Sequence, residues 1–173
     1  MKSLKKYNNL NKIMEIMKPQ IGITEAHLKN SIAILSSILA NEMTLYVKLR
    51  KFHWNVSGES FMELHKLFEG QYKQLEESID EIAERVSKLG GKTIGTMKEF
   101  SDLTIIRESP NHYPAQKDML RELLQDHEII ILHLRKDVDI SFEENMDAGT
   151  ADFLTGLMEA HETMSWILRR YLD

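Results

Sequence analysis

Apolar residues recur at intervals of three and four along four long stretches of the chain, residues 24–56, 60–89, 115–143 and 150–172. This spacing collects the apolar side chains on one face of an α-helix, so the pattern predicts four long amphipathic helices. The segment SDLTIIRE is rich in β-forming residues, but it is short and isolated, and we interpret it as a connection. The chain is therefore predicted to be all-α.

The breaks between these stretches carry ordinary helix-boundary residues. Thr24 and Thr150 are suitable N-caps, and the Gly90–Gly91 pair after Leu89 is a suitable stop for the second helix. The connection between helices two and three is about 25 residues long, more than a tight turn needs. We expect it to run the length of a four-helix bundle and to hold one short extra helix in the segment TMKEFSD.

The length of 173 residues fits a single domain, with 42% hydrophobic and 28% charged residues. We predict a basic N-terminal arm over residues 1–23 and the bundle over residues 24–173. No apolar run approaches the roughly eighteen residues that span a bilayer, and no secretory signal is present, so no membrane partner is expected. The chain has no cysteine, which excludes disulfides and thiolate metal sites and leaves nitrogen and oxygen ligands. A reducing cytoplasm is the expected location.

The charge is divided between an acidic body and a basic arm. The whole chain has a net charge of −5, whereas residues 1–18 hold five lysines against Glu15 alone. The lysines are Lys2, Lys5, Lys6, Lys12 and Lys18. Such an arm could bind DNA non-specifically. Leu10, Ile13, Met14 and Met17 fall at helical spacing, so the arm could instead pack against a subunit.

Candidate metal ligands occur in two pairs on the second helix, His65 with Glu69 and Asp80 with Glu84. Residues four apart share one helix face, but such pairs are also common on solvated surfaces. His53 continues the apolar stripe of the first helix and could be a ligand or a core histidine. The Glu-x-x-His pair of di-iron bundles is absent, because none of the seven histidines has a glutamate three residues earlier.

Distance decides how these pairs could serve one site. Fifteen residues of helix rise about 22 Å, so the two pairs of one chain cannot share an ion. If two copies of the helix cross antiparallel near residues 74 and 75, His65 lies level with the partner's Glu84, and Glu69 with the partner's Asp80. This self-complementary register predicts an obligate two-fold dimer with two equivalent sites. Imidazole and carboxylate ligands suit Fe(II), with Mn and Zn as competitors.

The segment HWNVSGESFMELHKLFEGQYKQLEESIDEIAERVSKLGG, residues 53–91, resembles the signature of Dps-type miniferritins. Tyr113–Pro114, GTADFLTGLMEAHE and Trp166 extend the similarity to about residues 24–172. The resemblance implies a ferritin-like four-helix bundle whose ferroxidase ligands correspond to His53, His65, Glu69, Asp80 and Glu84. Many relatives have aspartate where this chain has Glu69.

The resemblance also assigns two further residues. Trp54 matches a tryptophan with a role in electron transfer or radical quenching, although an aromatic interface anchor fits the same position. Asp137 matches an acid that lines the iron-entry pores of the family.

Taken together, the resemblance implies a dodecameric shell built on two-fold dimers that oxidises Fe(II), usually with hydrogen peroxide, and stores ferric mineral. Such a protein would be a cytoplasmic ferroxidase that protects DNA from oxidative damage. The main alternative is a DNA-compacting nucleoid protein that acts through its lysine arm. A third is a non-catalytic bundle whose acidic pairs are only a solvated face.

Overall fold

The structure is a computed structural model and describes residues 18–173. Its helices are α1 (Glu25–Asn55), α2 (Phe61–Lys88), α3 (Met97–Leu103), α4 (Gln116–Asp139) and α5 (Ala148–Leu172). A π-helical turn, Ile140–Glu144, continues α4. No strand occurs within residues 18–173. The prediction of an all-α four-helix bundle with one short extra helix is confirmed.

The bundle consists of two antiparallel helical hairpins, α1 with α2 and α4 with α5. Their apolar faces meet in one core, in which the largest fully buried side chains include Phe52 of α1, Phe68 of α2 and Ile130 of α4. The short connection 56–60 joins the first hairpin at the end where α1 stops and α2 begins. That end places the C-terminal turn of α1 beside the first turns of α2.

Two of the predicted boundaries have the expected chemistry. The Thr24 hydroxyl oxygen accepts a hydrogen bond from the His27 backbone N–H at 3.3 Å, which caps α1. Gly90 ends the α2 segment with a φ of +85°, a left-handed conformation that favours glycine. A Cβ atom at Gly90 would also lie 2.7 Å from the Pro19 ring.

The predicted N-cap of α5 is wrong. Asp147, rather than Thr150, caps this helix, because the Asp147 carboxylate accepts a hydrogen bond from the Thr150 backbone N–H at 3.0 Å. The Thr150 side chain is buried in the first turn, where it donates to Asp147 at 2.6 Å and accepts from Arg85. Asp147 also forms an ion pair with Arg85 of α2 at 3.1 Å, so this cap joins the two hairpins.

The long connection is fixed along α1. Helix α3 begins with a capping box in which Thr96 and Glu99 satisfy each other's backbone N–H groups. Farther on, the Asn41 side-chain oxygen accepts from the Ile105 backbone N–H at 2.9 Å, and Lys51 donates to the Ser109 carbonyl at 2.6 Å. Asn41 and Lys51 are separated by about 15 Å of helix. The connection therefore follows α1 for about three turns.

Helix α1 is more apolar than the sequence analysis allowed. One 18-residue window has a mean hydropathy of 1.3, enough by length and composition to span a membrane. In the fold, 56% of that window is buried inside the protein. Its apolar side chains are therefore used by the bundle core.

Candidate metal centre

Two histidines face each other where α1 ends and α2 begins. The ring centroids of His53 and His65 lie 3.7 Å apart, with the ring planes inclined by 19°. His53 Nδ1 lies 2.8 Å from the backbone oxygen of His65, and His65 Nδ1 lies 2.9 Å from the backbone oxygen of His53. Because a carbonyl oxygen only accepts hydrogen bonds, each Nδ1 carries the hydrogen. In a neutral imidazole with this tautomer, Nε2 carries the lone pair through which the ring binds a metal ion.

Helix chemistry explains part of this reciprocal contact. The carbonyl of His53 lies in the last turn of α1, where carbonyl groups lack intrahelical partners. His65 supplies the missing donor, and in return its own backbone oxygen orients the ring of His53. Both rings are half-buried. The backbone oxygens thus set both tautomers.

Glu69 follows His65 by one helical turn and adds a carboxylate on the same side. Its Oε1 atom lies 2.5 Å from Lys73 Nζ. The hydrogen bond from Lys73 is the main cause that lowers the pKa of Glu69, followed by the charge of Lys73; the two histidines act in the same direction more weakly. Glu69 is therefore ionised at neutral pH, in the form that binds a metal ion.

Asp80 and Glu84 lie in the other half of α2 and are exposed. Glu84 pairs with Lys88 at 2.9 Å, one turn later on the same helix. Fifteen residues separate Asp80 from His65, or about 22 Å of helix. Within residues 18–173 of one subunit, no three histidine, aspartate or glutamate side chains converge as a metal site. A single subunit thus brings His53 and His65 together with Glu69 nearby, and keeps Asp80 and Glu84 apart from them.

The surface beside the histidines carries large exposed apolar side chains. Trp54 is 66% exposed, Met62 56% and Phe61 39%. The Phe61 ring centroid lies 5.1 Å from that of His65. Exposed aromatic and methionine side chains grouped at one place are typical of protein–protein contact surfaces. This surface, which lies beside the histidines, is therefore suited to contact another protein chain.

The remaining predicted residues lie elsewhere. Asp137 is half-buried on α4, and burial raises the pKa of its carboxyl against the opposing effects of His133 and Lys136. Lys18 is exposed and pairs with Glu25 at 3.1 Å. The other lysines of the arm lie outside the described residues, namely Lys2, Lys5, Lys6 and Lys12.

One buried polar cluster was not predicted from the sequence. His161 of α5 lies 2.7 Å from a Glu42 carboxylate oxygen through Nε2 and 2.8 Å from His127 Nδ1 through its own Nδ1. All three side chains are fully buried. The three groups form a linear hydrogen-bonded chain across the bundle, so their donor atoms do not converge on one point. The only signal in the sequence is that Glu42 interrupts the apolar stripe of α1.

The comparisons with known proteins agree with this fold. The model of the family described as a ferritin-like domain matches residues 32–173. An uncharacterized low temperature-induced protein of Nostoc sp. is 46% identical over 88% of this chain and 86% of its own length. The DNA protection during starvation protein 2 of Bacillus anthracis is 35% identical over 84% of this chain and 98% of its own length.

Solved structures give the same assignment. DpsC from Streptomyces coelicolor superimposes with a TM-score of 0.86 at 28% identity, covering 90% of each chain. A Dps protein from Bacillus brevis superimposes with a TM-score of 0.82 at 30% identity, covering 87% of this chain and all of that one. This chain therefore belongs to the ferritin-like domain family and, within it, to the Dps-type miniferritins.

Proposed function

We propose that the protein is a ferroxidase and iron-storage miniferritin that oxidises Fe(II) at sites shared between two subunits. The observation that carries the proposal is the pair of histidines whose tautomers are locked by backbone atoms. His53 and His65 present two Nε2 lone pairs, and Glu69 adds a charge one turn away. This half-site has too few ligands for a di-iron centre. A reversed second α2 would supply Asp80 and Glu84, as the two-fold register requires.

The proposed reaction uses Fe(II) and hydrogen peroxide as substrates. Two Fe(II) ions give one electron each to one peroxide molecule, which takes up two protons and becomes two water molecules. The carboxylates favour the harder Fe(III) product, whereas the imidazoles hold Fe(II). Because both electrons come from iron, no hydroxyl radical is released. Such a reaction would protect DNA, consistent with the DNA protection names of several relatives.

Glu69 affects how completely the site is occupied by metal ions. Its side chain is one methylene longer than the aspartate of many relatives, and it forms an ion pair with Lys73. A metal ion must displace the Lys73 ammonium from this carboxylate. We therefore expect the position bound by Glu69 to fill after the position bound by the two histidines, with Mn and Zn competing for both.

The wider assembly follows from the same proposal. The subunits would form a cytoplasmic dodecameric shell on two-fold dimers, with ferric mineral inside and Asp137 lining the pores through which iron enters. A half-buried acid whose carboxyl is penalised by burial gains stability when a cation approaches it. Trp54 would cover the dimer contact beside the ligand His53, the second of the two roles that its position allows.

Rapid mixing of iron-loaded protein with peroxide tests this function. We expect the anaerobic protein, loaded with Fe(II) and pulsed with hydrogen peroxide, to develop ferric absorbance much faster than buffer, with about two Fe(II) consumed per peroxide. A spin trap present in the mixture should report little hydroxyl radical. Fe(II) oxidation at the rate of buffer would instead favour the non-catalytic bundle.

DNA binding by the arm is a second candidate function, favoured by the lysines of residues 1–18. Each arm should bind weakly, and many arms on one shell would add avidity. We expect a gel shift of duplex DNA at low salt that disappears at moderate salt and in a variant lacking residues 1–20. The absence of a shift at low salt would exclude the arm as a DNA-binding element.

A further inference from the structure

Arg50 lies among three oxidisable rings next to the candidate metal centre. Its guanidinium carbon is 4.6 Å from the ring centroid of Tyr72, 5.4 Å from that of Tyr46 and 5.5 Å from that of Trp54. Tyr46, Arg50 and Trp54 are spaced four apart on α1, which stacks them along one helix face. Tyr72 reaches the same cation from α2.

The rings are also in contact with a candidate ligand. The ring centroid of Tyr72 lies 5.3 Å from that of His53, edge to face. Trp54 is the residue next to His53 in the chain. Oxidising equivalents produced at iron bound by His53 therefore have two aromatic side chains within direct reach.

The guanidinium opposes oxidation of these rings. A neutral ring attracts a cation through its quadrupole, but a ring that has lost an electron carries a positive charge and is repelled by it. Arginine cannot lose its proton, so its charge persists at any relevant pH. Within residues 18–173 of one subunit, Arg50 forms no ion pair that would neutralise it.

Arg50 also acts on the proton that a phenol must release on oxidation. It donates a hydrogen bond to the Tyr46 hydroxyl oxygen at 2.7 Å. A tyrosine loses a proton with its electron, so oxidation is favoured where a base accepts from the hydroxyl. The partner of Tyr46 in this cluster is a donor that accepts nothing.

We propose that Arg50 is a positioning residue that makes Trp54, Tyr72 and Tyr46 hard to oxidise. The electrons for peroxide then come from iron and not from the protein. The biological importance of this inference rests on the proposed function, but the electrostatic effect does not require iron.

The reaction that Arg50 suppresses arises when a site holds one Fe(II) instead of two. The single Fe(II) gives one electron to hydrogen peroxide, which splits into hydroxide and a hydroxyl radical. The radical becomes a second hydroxide by taking an electron from a second Fe(II) or from the Trp54 ring, which then becomes a radical cation. Arg50 disfavours the ring as the source, so the electron comes from iron. Incomplete filling, expected from the ion pair at Glu69, makes this situation relevant.

An iron-free oxidation experiment tests the proposal. The assembled protein would be exposed to a one-electron oxidant generated by light, such as a ruthenium tris-bipyridine complex with persulfate. The oxidation of Trp54 and Trp166 would then be measured by mass spectrometry of peptides. Trp166 is the internal reference, since it is 54% exposed and has no cation over its ring among the described residues.

The expected result is a change in the ratio of Trp54 to Trp166 oxidation. Arg50→Gln and Arg50→Met should each raise it about tenfold, because a unit charge near 5 Å acts strongly in a partly buried site. Arg50→Lys keeps a positive charge that can lie over the same rings and should stay within about twofold of the wild type. Arg121→Gln is the matched control, since Arg121 is exposed and pairs with Asp118 on α4. Two neutral variants are included so that the test survives failure of either one to assemble.

Two outcomes would overturn the proposal: an unchanged ratio in the neutral variants, or a lysine variant that behaves like them. A second experiment, with one Fe(II) per site and hydrogen peroxide, extends the test to turnover. In it, the neutral variants should accumulate more oxidised Trp54. If the wild type oxidises no Fe(II), the proposed function fails while the iron-free result still decides the role of Arg50.

Discussion

Alanine in place of His65 is expected to lower the rate of peroxide-dependent Fe(II) oxidation by about 100-fold or more. The substitution removes one ligand, and it also removes the donor to the His53 carbonyl and the ring stacked on His53. Glu84→Ala should have an effect of similar size, although Glu84 lies about 28 Å of helix from His65 in the same chain. The loss in both variants would show that residues far apart in one subunit serve one reaction.

Two controls separate loss of the site from general damage. His112→Ala removes an exposed histidine that pairs with Glu122, and Glu128→Ala removes an exposed acid that pairs with Arg169. Both should retain the wild-type rate, measured by ferric absorbance after a peroxide pulse. A Glu84→Ala protein that assembles and oxidises Fe(II) at the wild-type rate would remove the second half of the site from this account.

The second large effect concerns the buried chain of Glu42, His161 and His127. Glu42→Ala should lower the free energy of unfolding by about 1–3 kcal/mol, because it leaves the His161 imidazole buried without its acceptor. Replacing Glu42, His161 and His127 together by leucine should restore much of the loss, since no member of the hydrogen-bonded chain is then left unpaired. Denaturant unfolding at fixed protein concentration measures both. A Glu42→Ala protein as stable as the wild type would show that these buried hydrogen bonds contribute little to the free energy of unfolding.

The same hydrogen-bonded chain of buried side chains makes the free energy of unfolding depend on pH. Burial, and then the charge of His161, hold the pKa of His127 well below its ordinary value of 6.5. Below pH 6.5 the unfolded chain binds a proton that folded His127 does not, so His127 makes stability fall as the pH falls from that value. His127→Gln should flatten this part of the curve. An equal slope in both proteins would contradict the role of His127.

The helices were predictable because their apolar faces follow a local period. The N-cap of α5 was not, since Thr150 and Asp147 are both good capping residues and Arg85 of another helix decides between them. The hydrogen-bonded chain of Glu42, His161 and His127 could not be predicted from the sequence for the same reason. Its partners lie 34 and 119 residues apart in sequence, and only the packed bundle brings them together.

The candidate site, like the fold, could be predicted only in part from the sequence. Helix rise alone predicts that Asp80 and Glu84 lie far from His65 in one chain, and the structure of a single subunit agrees with that distance. The reciprocal bonds between His53 and His65 could not be read from sequence, because they depend on how α1 and α2 meet. The proposed union of the two halves would be a property of a pair of chains.

Mixing two inactive variants tests that union most directly. His65→Ala and Glu84→Ala subunits would be co-expressed in equal amounts, and Fe(II) oxidation by peroxide would be measured in the mixed assembly. With random pairing, half of the dimers are mixed, and each mixed dimer holds one site with no altered ligand. The account therefore predicts about a quarter of the wild-type rate from two subunits that are inactive alone. A mixed assembly as inactive as its parents would show that the five residues do not combine across a two-fold interface.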